Sequence, residues 1–251
     1  MGSILQHDVD GIRVLTISAQ GRLNAWSRAM RADLQARLES ASTDDAVAAV
    51  VITGDGDAFC SGQDFHEVTT WDADTPWIDE IEGFYRAVLT FPKPTVAAVN
   101  GVAAGSGMQF ALLCDVRVGA DDARMGQTEV RWGLASITGT WLLRELLGPV
   151  RARALALTAR LVEGADLLRV GLLDEQVAVR DVVPRAIEVA REMASHPGAA
   201  FAATKEWCQR DVLEGLTRVF ADARALHGSA FREGVSQSGA QRFLERGGPT
   251  S

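Results

Sequence analysis

Two short apolar runs limit what this chain can become more than any other feature. AVAAVVITGDG (residues 46–56) and PTVAAVNG (residues 94–101) are rich in valine and alanine, show no polar face, and end in turn residues. A run of that length bounded by turn signals reads as a strand covered on both faces. Each is followed by small residues, Ser61-Gly62 after the first and Gly105-Ser106-Gly107 after the second. Between them lie helical patterns. Trp26, Met30, Leu34, Leu38 and Ala41 recur at helical spacing, and TPWIDEIEGFYRAVLTF is amphipathic and stopped by Pro92 and Pro94. Buried strands that alternate with amphipathic helices predict an α/β fold with helices on the sheet faces.

The ends of the chain extend this picture. ILQHDVDGIRVLTIS predicts a hairpin around Asp10-Gly11, and CDVRVGADDARMG a third strand region. From Thr138 onward helical runs dominate: WLLRELLG, RARALALTARL, ADLLRVG, DVVPRAIEVAREMA, FAATKEWCQRDVL and LTRVFADARALHG. The expected division is a core over residues 1–195 and a helical C-terminal region over 196–251. No linker or repeat interrupts the 251 residues.

Composition excludes several classes of function. The net charge of -8 leaves no basic surplus to neutralise phosphates, so nucleic acid is not expected as a partner. Three cysteines, Cys60, Cys114 and Cys208, stand at unrelated spacings and predict neither a zinc site nor a disulfide framework. The four histidines, at 7, 66, 196 and 227, have no metal-ligand spacing either. No basic-then-apolar leader opens the chain, and no apolar run is long enough to span a bilayer. The expectation is a cytoplasmic protein without metal or resident cofactor.

Three stretches can carry chemistry. GSGMQFALLCD opens a helix with glycines; it fails the dinucleotide fingerprint because Phe110 holds the third glycine position. It is either a helix start that needs small residues or a helix N-terminus aimed at developing negative charge. FCSGQDF is an ordinary loop or a second such turn. Glu129 in GQTEVRWG is a solvated carboxylate or, in an apolar pocket, a proton carrier with a raised pKa.

Taken in order, RLNAWS, FCSGQD, PKPTVAAVNGVAAGSGMQFALLCD, GQTEVRWGL and LTARLVEGADLLRVGLLDEQV resemble the enoyl-CoA hydratase/isomerase (crotonase) superfamily. The resemblance implies a crotonase-like spiral of ββα units with a helical C-terminal trimerisation region, assembled as a homotrimer or dimer of trimers. It implies an acyl-CoA substrate, with coenzyme A entering as part of that substrate. Arg22, Leu23, Ala25, Ala58, Ser61, Gln63 and Asp64 match positions that bind the coenzyme A portion. The implied oxyanion donors are the backbone N–H groups of Ser61 and Ser106.

Two departures bear on the reaction. The family's hydratases carry two glutamates; here Gln109 occupies the first place and Glu129 the second. An amide neither takes nor gives a proton at neutral pH. Ile137 stands where those enzymes have a glycine beside the attacking water. The expectation is an enzyme of the hydratase/isomerase type with Glu129 as its single acid/base. The alternatives are a thioester hydrolase, a decarboxylase, an aromatic acyl-CoA hydratase-lyase, or an acyl-CoA-binding protein without turnover. Asp64, His66 and Glu67 are the nearby candidates for a second titratable group. Trp71, Trp77, Phe84, Trp132 and Trp141 are candidate acyl-cavity walls, and residues 68–77 read equally as a lid or as a surface loop.

Overall fold

The computed structural model describes residues 2–72 and 74–246. The N-terminal hairpin forms as expected. Strands β1 (Ser3–Val9) and β2 (Ile12–Ser18) pair antiparallel across Asp10 and Gly11, both with positive φ, as a two-residue hairpin turn requires. Helix α1 (Arg28–Thr43) follows, its N-terminus capped by the Ser27 hydroxyl, and it buries Met30, Leu34, Leu38 and Ala41.

The two apolar runs become β3 (Ala49–Gly54) and β5 (Thr95–Val99), and every residue of both is buried. Each turns a corner into a short second strand: β3 into β4 (Ala58–Cys60), and β5 into β6 (Val102–Ala104). The third strand region does the same, β7 (Val116–Ala120) running into β8 (Arg124–Gly126). Between these pairs lie α2 (Phe65–Val68), α3 (Trp77–Leu89) and α4 (Ser106–Leu113). The first strands of each pair extend a six-stranded sheet in the order β1-β2-β3-β5-β7-β10, closed by β10 (Glu175–Val177). The second strands build a four-stranded sheet, β4-β6-β8-β9, where β9 is Val162–Glu163. This is the spiral of ββα units.

The corners are fixed by particular side chains. Asn100, at the end of β5, donates to the carbonyls of Gly54 and Gly56 and accepts from the Gly54 N–H. Gly101 follows because a Cβ there would lie 2.1 Å from the Asp57 carbonyl oxygen. These turns leave the C-terminal ends of β4 and β6 side by side, with α4 starting beyond them.

The remaining helices are α5 (Ile137–Leu147), α6 (Pro149–Thr158), α7 (Asp166–Val170), α8 (Val182–Ala194), α9 (Gly198–Arg232) and α10 (Val235–Glu245). The last two helical runs of the sequence differ from expectation. They join across Gly215 into one 35-residue helix, α9. The reason lies in packing: Gly215 sits against the Trp141 indole of α5, where any side chain would collide. The C-terminal region folds back over the core, with α9 against α3 and α5, and α10 against α2. Among the described residues no helix is long and apolar enough to cross a membrane.

Candidate active site

A cavity of about 510 Å³ opens where the ends of β4 and β6, the start of α4 and the 3₁₀ turn Glu129–Trp132 converge. Helices α3, α5, α9 and α10 wall it. Of the expected site residues, Arg22, Leu23, Ala25, Ser61, Gln63, Asp64, Ser106, Gln109 and Glu129 all line it.

Ala58 does not. It is buried within β4, and its carbonyl accepts from the Asn24 amide at 2.7 Å. Asn24 also holds Ala19 N–H and the Asp55 carbonyl, which fastens the Arg22–Ala25 turn to the β3–β4 corner. At the cavity edge, Arg22 pairs with Asp64 at 2.6 Å.

The expected oxyanion pair needs one correction. The Ser61 N–H donates to the Leu23 carbonyl at 2.9 Å, and its hydroxyl to the Arg22 carbonyl at 3.2 Å. Ser61 therefore ties two loops together and has no N–H left for a ligand. Two residues on, Trp26 N–H donates to Gly62 and Asp64 N–H donates to Trp26. These bonds bracket Gln63, whose own N–H has no acceptor among the described residues. The Gln63 side chain is turned away, held by Arg31 and donating to Glu67. Ser106 is the first residue of α4, where a helix leaves its N–H groups without an intrahelical acceptor. The two segments touch: a Cβ at Gly62 would stand 3.4 Å from the Ser106 nitrogen.

Glu129 faces this pair. Its carboxylate packs on Gly105, where a Cβ would lie 3.3 Å from Oε1; the backbone there has φ 53°, so glycine answers both constraints. Oε1 accepts from Gln109 Nε2 at 3.0 Å and from Gln127 Nε2. Oε2 is buried and unpartnered. Burial raises the carboxyl's pKa to about 7, against the lowering effect of the two amides. The oxygen of Gln109 is itself occupied, accepting from the Tyr85 hydroxyl and from Thr138 Oγ1 at 3.2 Å.

Much of the remaining wall is aromatic, beside aliphatic residues such as Ile81, Leu134 and Leu161. Trp71 stacks on Trp77 with centroids 5.4 Å apart, and Phe243 meets both Phe65 and Trp132 edge-on at 4.6 Å. Phe84 and Trp141 are not walls: Phe84 packs in the core against Trp26 and Phe110, and Trp141 faces α9. Val68 and Trp71 are buried against Phe231 and Ala240, so those residues of segment 68–77 form wall; Ala73 lies outside the described residues.

The model of the family described as "Enoyl-CoA hydratase/isomerase" matches residues 8–250. The chain belongs to the enoyl-CoA hydratase/isomerase family. It is an acyl-CoA enzyme of that family. It is similar to "Probable enoyl-CoA hydratase" of Rhodobacter capsulatus, 35% identical over 96% of this chain and 94% of the relative. It is also similar to "1,2-epoxyphenylacetyl-CoA isomerase" of Escherichia coli, 31% identical over 96% of this chain and 97% of the relative. Among solved structures, an enoyl-CoA hydratase from Mycobacterium avium subsp. paratuberculosis superposes with a TM-score of 0.85 at 28% identity. That match covers 97% of this chain and 96% of the other.

For this enoyl-CoA hydratase/isomerase, sequence reasoning missed several cavity residues. Gln127 stands inside the GQTE motif, and its proximity to Glu129 was a usable signal. Tyr85 follows Trp77 and Ile81 at four-residue steps on α3, a pattern that marks a shared face. His227, Phe231 and Phe243 reach the cavity from α9 and α10, more than 95 residues after Glu129, with no local signal to announce them.

Proposed function

We propose that this enzyme moves a carbon–carbon double bond within an acyl-CoA thioester, with Glu129 as the only proton carrier. The thioester oxygen lies between the N–H groups of Gln63 and Ser106. Oε2 of Glu129 takes a proton from C2 of a 3-enoyl-CoA. The C–H electrons pass into the conjugated system, and negative charge collects on the thioester oxygen, where the two N–H groups stabilise it. The carboxylic acid then returns the same proton at C4, leaving the double bond between C2 and C3. One group with a pKa of about 7 suits both halves of that transfer at neutral pH.

The observation that carries this reading is the hydrogen bonding of Gln109. Its nitrogen holds Glu129 and its oxygen is committed to Tyr85 and Thr138. It therefore acts as a clamp, and water addition lacks a second acid. Ile137, at the start of α5 and on the cavity wall, adds apolar bulk where hydration needs a water. The aromatic walls favour a bulky or flat acyl group.

The test compares 3-enoyl-CoA and 2-enoyl-CoA as substrates for the wild type and Glu129→Gln. The expected result is conversion of the 3-enoyl ester by the wild type, loss of that conversion in Glu129→Gln, and little hydration of the 2-enoyl ester by either. Efficient hydration by the wild type overturns the reading. Inertness of both proteins toward esters that still bind replaces it with a binding role.

A further inference from the structure

Proton transfer leaves a buried histidine in the cavity unused. His227 of α9 is only 8% exposed and lines the cavity. Neither of its ring nitrogens has a hydrogen-bond partner among the described residues. Its surroundings are aromatic. The imidazole meets Trp77 edge-on with centroids 5.0 Å apart, and Trp77 in turn contacts Trp71 and Phe231 at 5.4 and 5.8 Å. Burial alone pushes the ring's pKa down to about 4, so it is neutral, with one donor and one acceptor. Neither nitrogen is fully enclosed, so both are open to a group that enters the cavity.

Its position along the cavity follows from α3. Trp77, Ile81 and Tyr85 lie on one face of that helix and all line the cavity. Tyr85 touches the Gln109–Glu129 pair, whereas Trp77 touches His227. Eight residues of α-helix separate the two ends by about 12 Å. The imidazole thus stands two helical turns from the carboxylate network.

We propose that this end of the cavity is a subsite for an uncharged oxygen function, a hydroxyl or a ketone, carried on the acyl group roughly two helical turns from its reacting carbons and bonded by His227. The subsite rests on the reading that acyl-CoA esters enter this cavity, but not on which reaction follows. A carboxylate is the poorer partner, because the neutral ring offers it no charge. An unsubstituted acyl chain is also a poor match, because it leaves both ring nitrogens unpaired.

The experiment uses saturated acyl-CoA esters, which carry no double bond to move. Dissociation constants are measured for a series of medium-chain esters, each paired with its ω-hydroxy counterpart, on the wild type, His227→Phe and His227→Gln. The expected wild-type result is a preference of about tenfold for the hydroxylated member, the ratio typical of one buried hydrogen bond. That preference peaks at one chain length and falls on either side. His227→Phe keeps an aromatic ring and brings the ratio near one, whereas His227→Gln restores much of it. Equal ratios in the wild type and His227→Phe overturn the subsite, as does a preference without a chain-length optimum. If none of the esters binds, the acyl-CoA cavity itself is wrongly placed and the subsite falls with it. Loss of double-bond transfer alone, with the binding ratios intact, refutes only the proposed reaction.

Discussion

Gln109 Nε2 donates to Glu129 Oε1 across 3.0 Å, from the second turn's approach on α4 to a 3₁₀ turn twenty residues later. The bond has a direction. Tyr85 and Thr138 hydroxyls donate to the amide oxygen, so the amide nitrogen is the end that faces the carboxylate. Oε1 is thereby held and Oε2 is left bare in a mostly apolar cavity. In the proposed reaction this asymmetry lets one carboxylate serve both proton transfers, and each consequence below can be measured.

The first is pH dependence. Glu129 has its pKa raised from 4.5 to about 7. Its ionised form starts the proposed reaction, so kcat/KM should rise with pH along a single limb centred near 7. The sign for stability is opposite. A carboxyl with a raised pKa in the folded state contributes stability that is complete below about 4.5 and is lost as pH rises through about 7. Glu129→Gln should therefore melt at a higher temperature than the wild type at pH 8, with the gap closing by pH 5. An equal gap at both pH values would show that the carboxyl is not desolvated.

Gln127 holds the same oxygen from the other side and is fully buried. Gln127→Leu removes a donor to the ionised form, so the limb of the pH profile should move upward and kcat should fall about tenfold, with KM changing less. Gly139→Ala should act on the same contact from behind. A Cβ there would lie 2.2 Å from Gln127 Nε2, so the amide has to leave its place. Combining the two substitutions should cost no more than the worse one alone. Additive losses would separate Gln127 from the carboxylate.

The two serines should separate in mutagenesis. Ser106 begins α4, a position where proline is well tolerated in a helix. Ser106→Pro removes the N–H and also the hydroxyl that accepts from the buried Trp26 indole at 3.0 Å, a loss that Ser106→Ala shares and so controls for. Relative to Ser106→Ala, kcat should drop about 10²–10³-fold, the usual loss for one oxyanion donor. Ser61→Ala keeps the main-chain bond to Leu23 and removes only the hydroxyl bond to Arg22. It should change kcat by less than about threefold. A large kcat loss in Ser61→Ala would mean that the hydroxyl bond to Arg22 is needed to hold the two loops at the site.

Much of this was legible in the sequence, for local reasons. Strand identity in β3 and β5 follows from apolar runs bounded by turn residues, and the hairpin from Asp10-Gly11. The placement of Glu129, Gln109 and Ser106 follows from motif order. The exchange of Ser61 for Gln63 shows where such reading stops. Both residues sit in one small turn, and only the partner of each N–H distinguishes them; that partner, Leu23, is 38 residues away in sequence. The same limit hid His227 and Phe243, because the fold-back of α9 and α10 depends on contacts spread over the whole chain. The single length of α9 was obscured by Gly215, which weakens a helix locally but fits closely under Trp141.

The fold-back has its own anchor, and it offers a stability test. Lys205, near the start of α9, is buried and puts Nζ 2.7 Å from Asp115 Oδ2 and 3.0 Å from the Lys93 carbonyl. Asp115 Oδ2 also accepts from the Thr95 N–H and hydroxyl, at the start of β5. Lys205→Met leaves that carboxylate enclosed without its cation, a situation that typically costs about 3–5 kcal/mol. The urea midpoint should fall accordingly. Replacing Asp115 by Asn in the same chain removes the stranded charge and keeps an acceptor for Thr95, so the double variant should regain part of the loss. A double variant that is no more stable than Lys205→Met would mean that Lys205 acts through the packing of its aliphatic stem. The charge would then not be what holds α9 to the sheet.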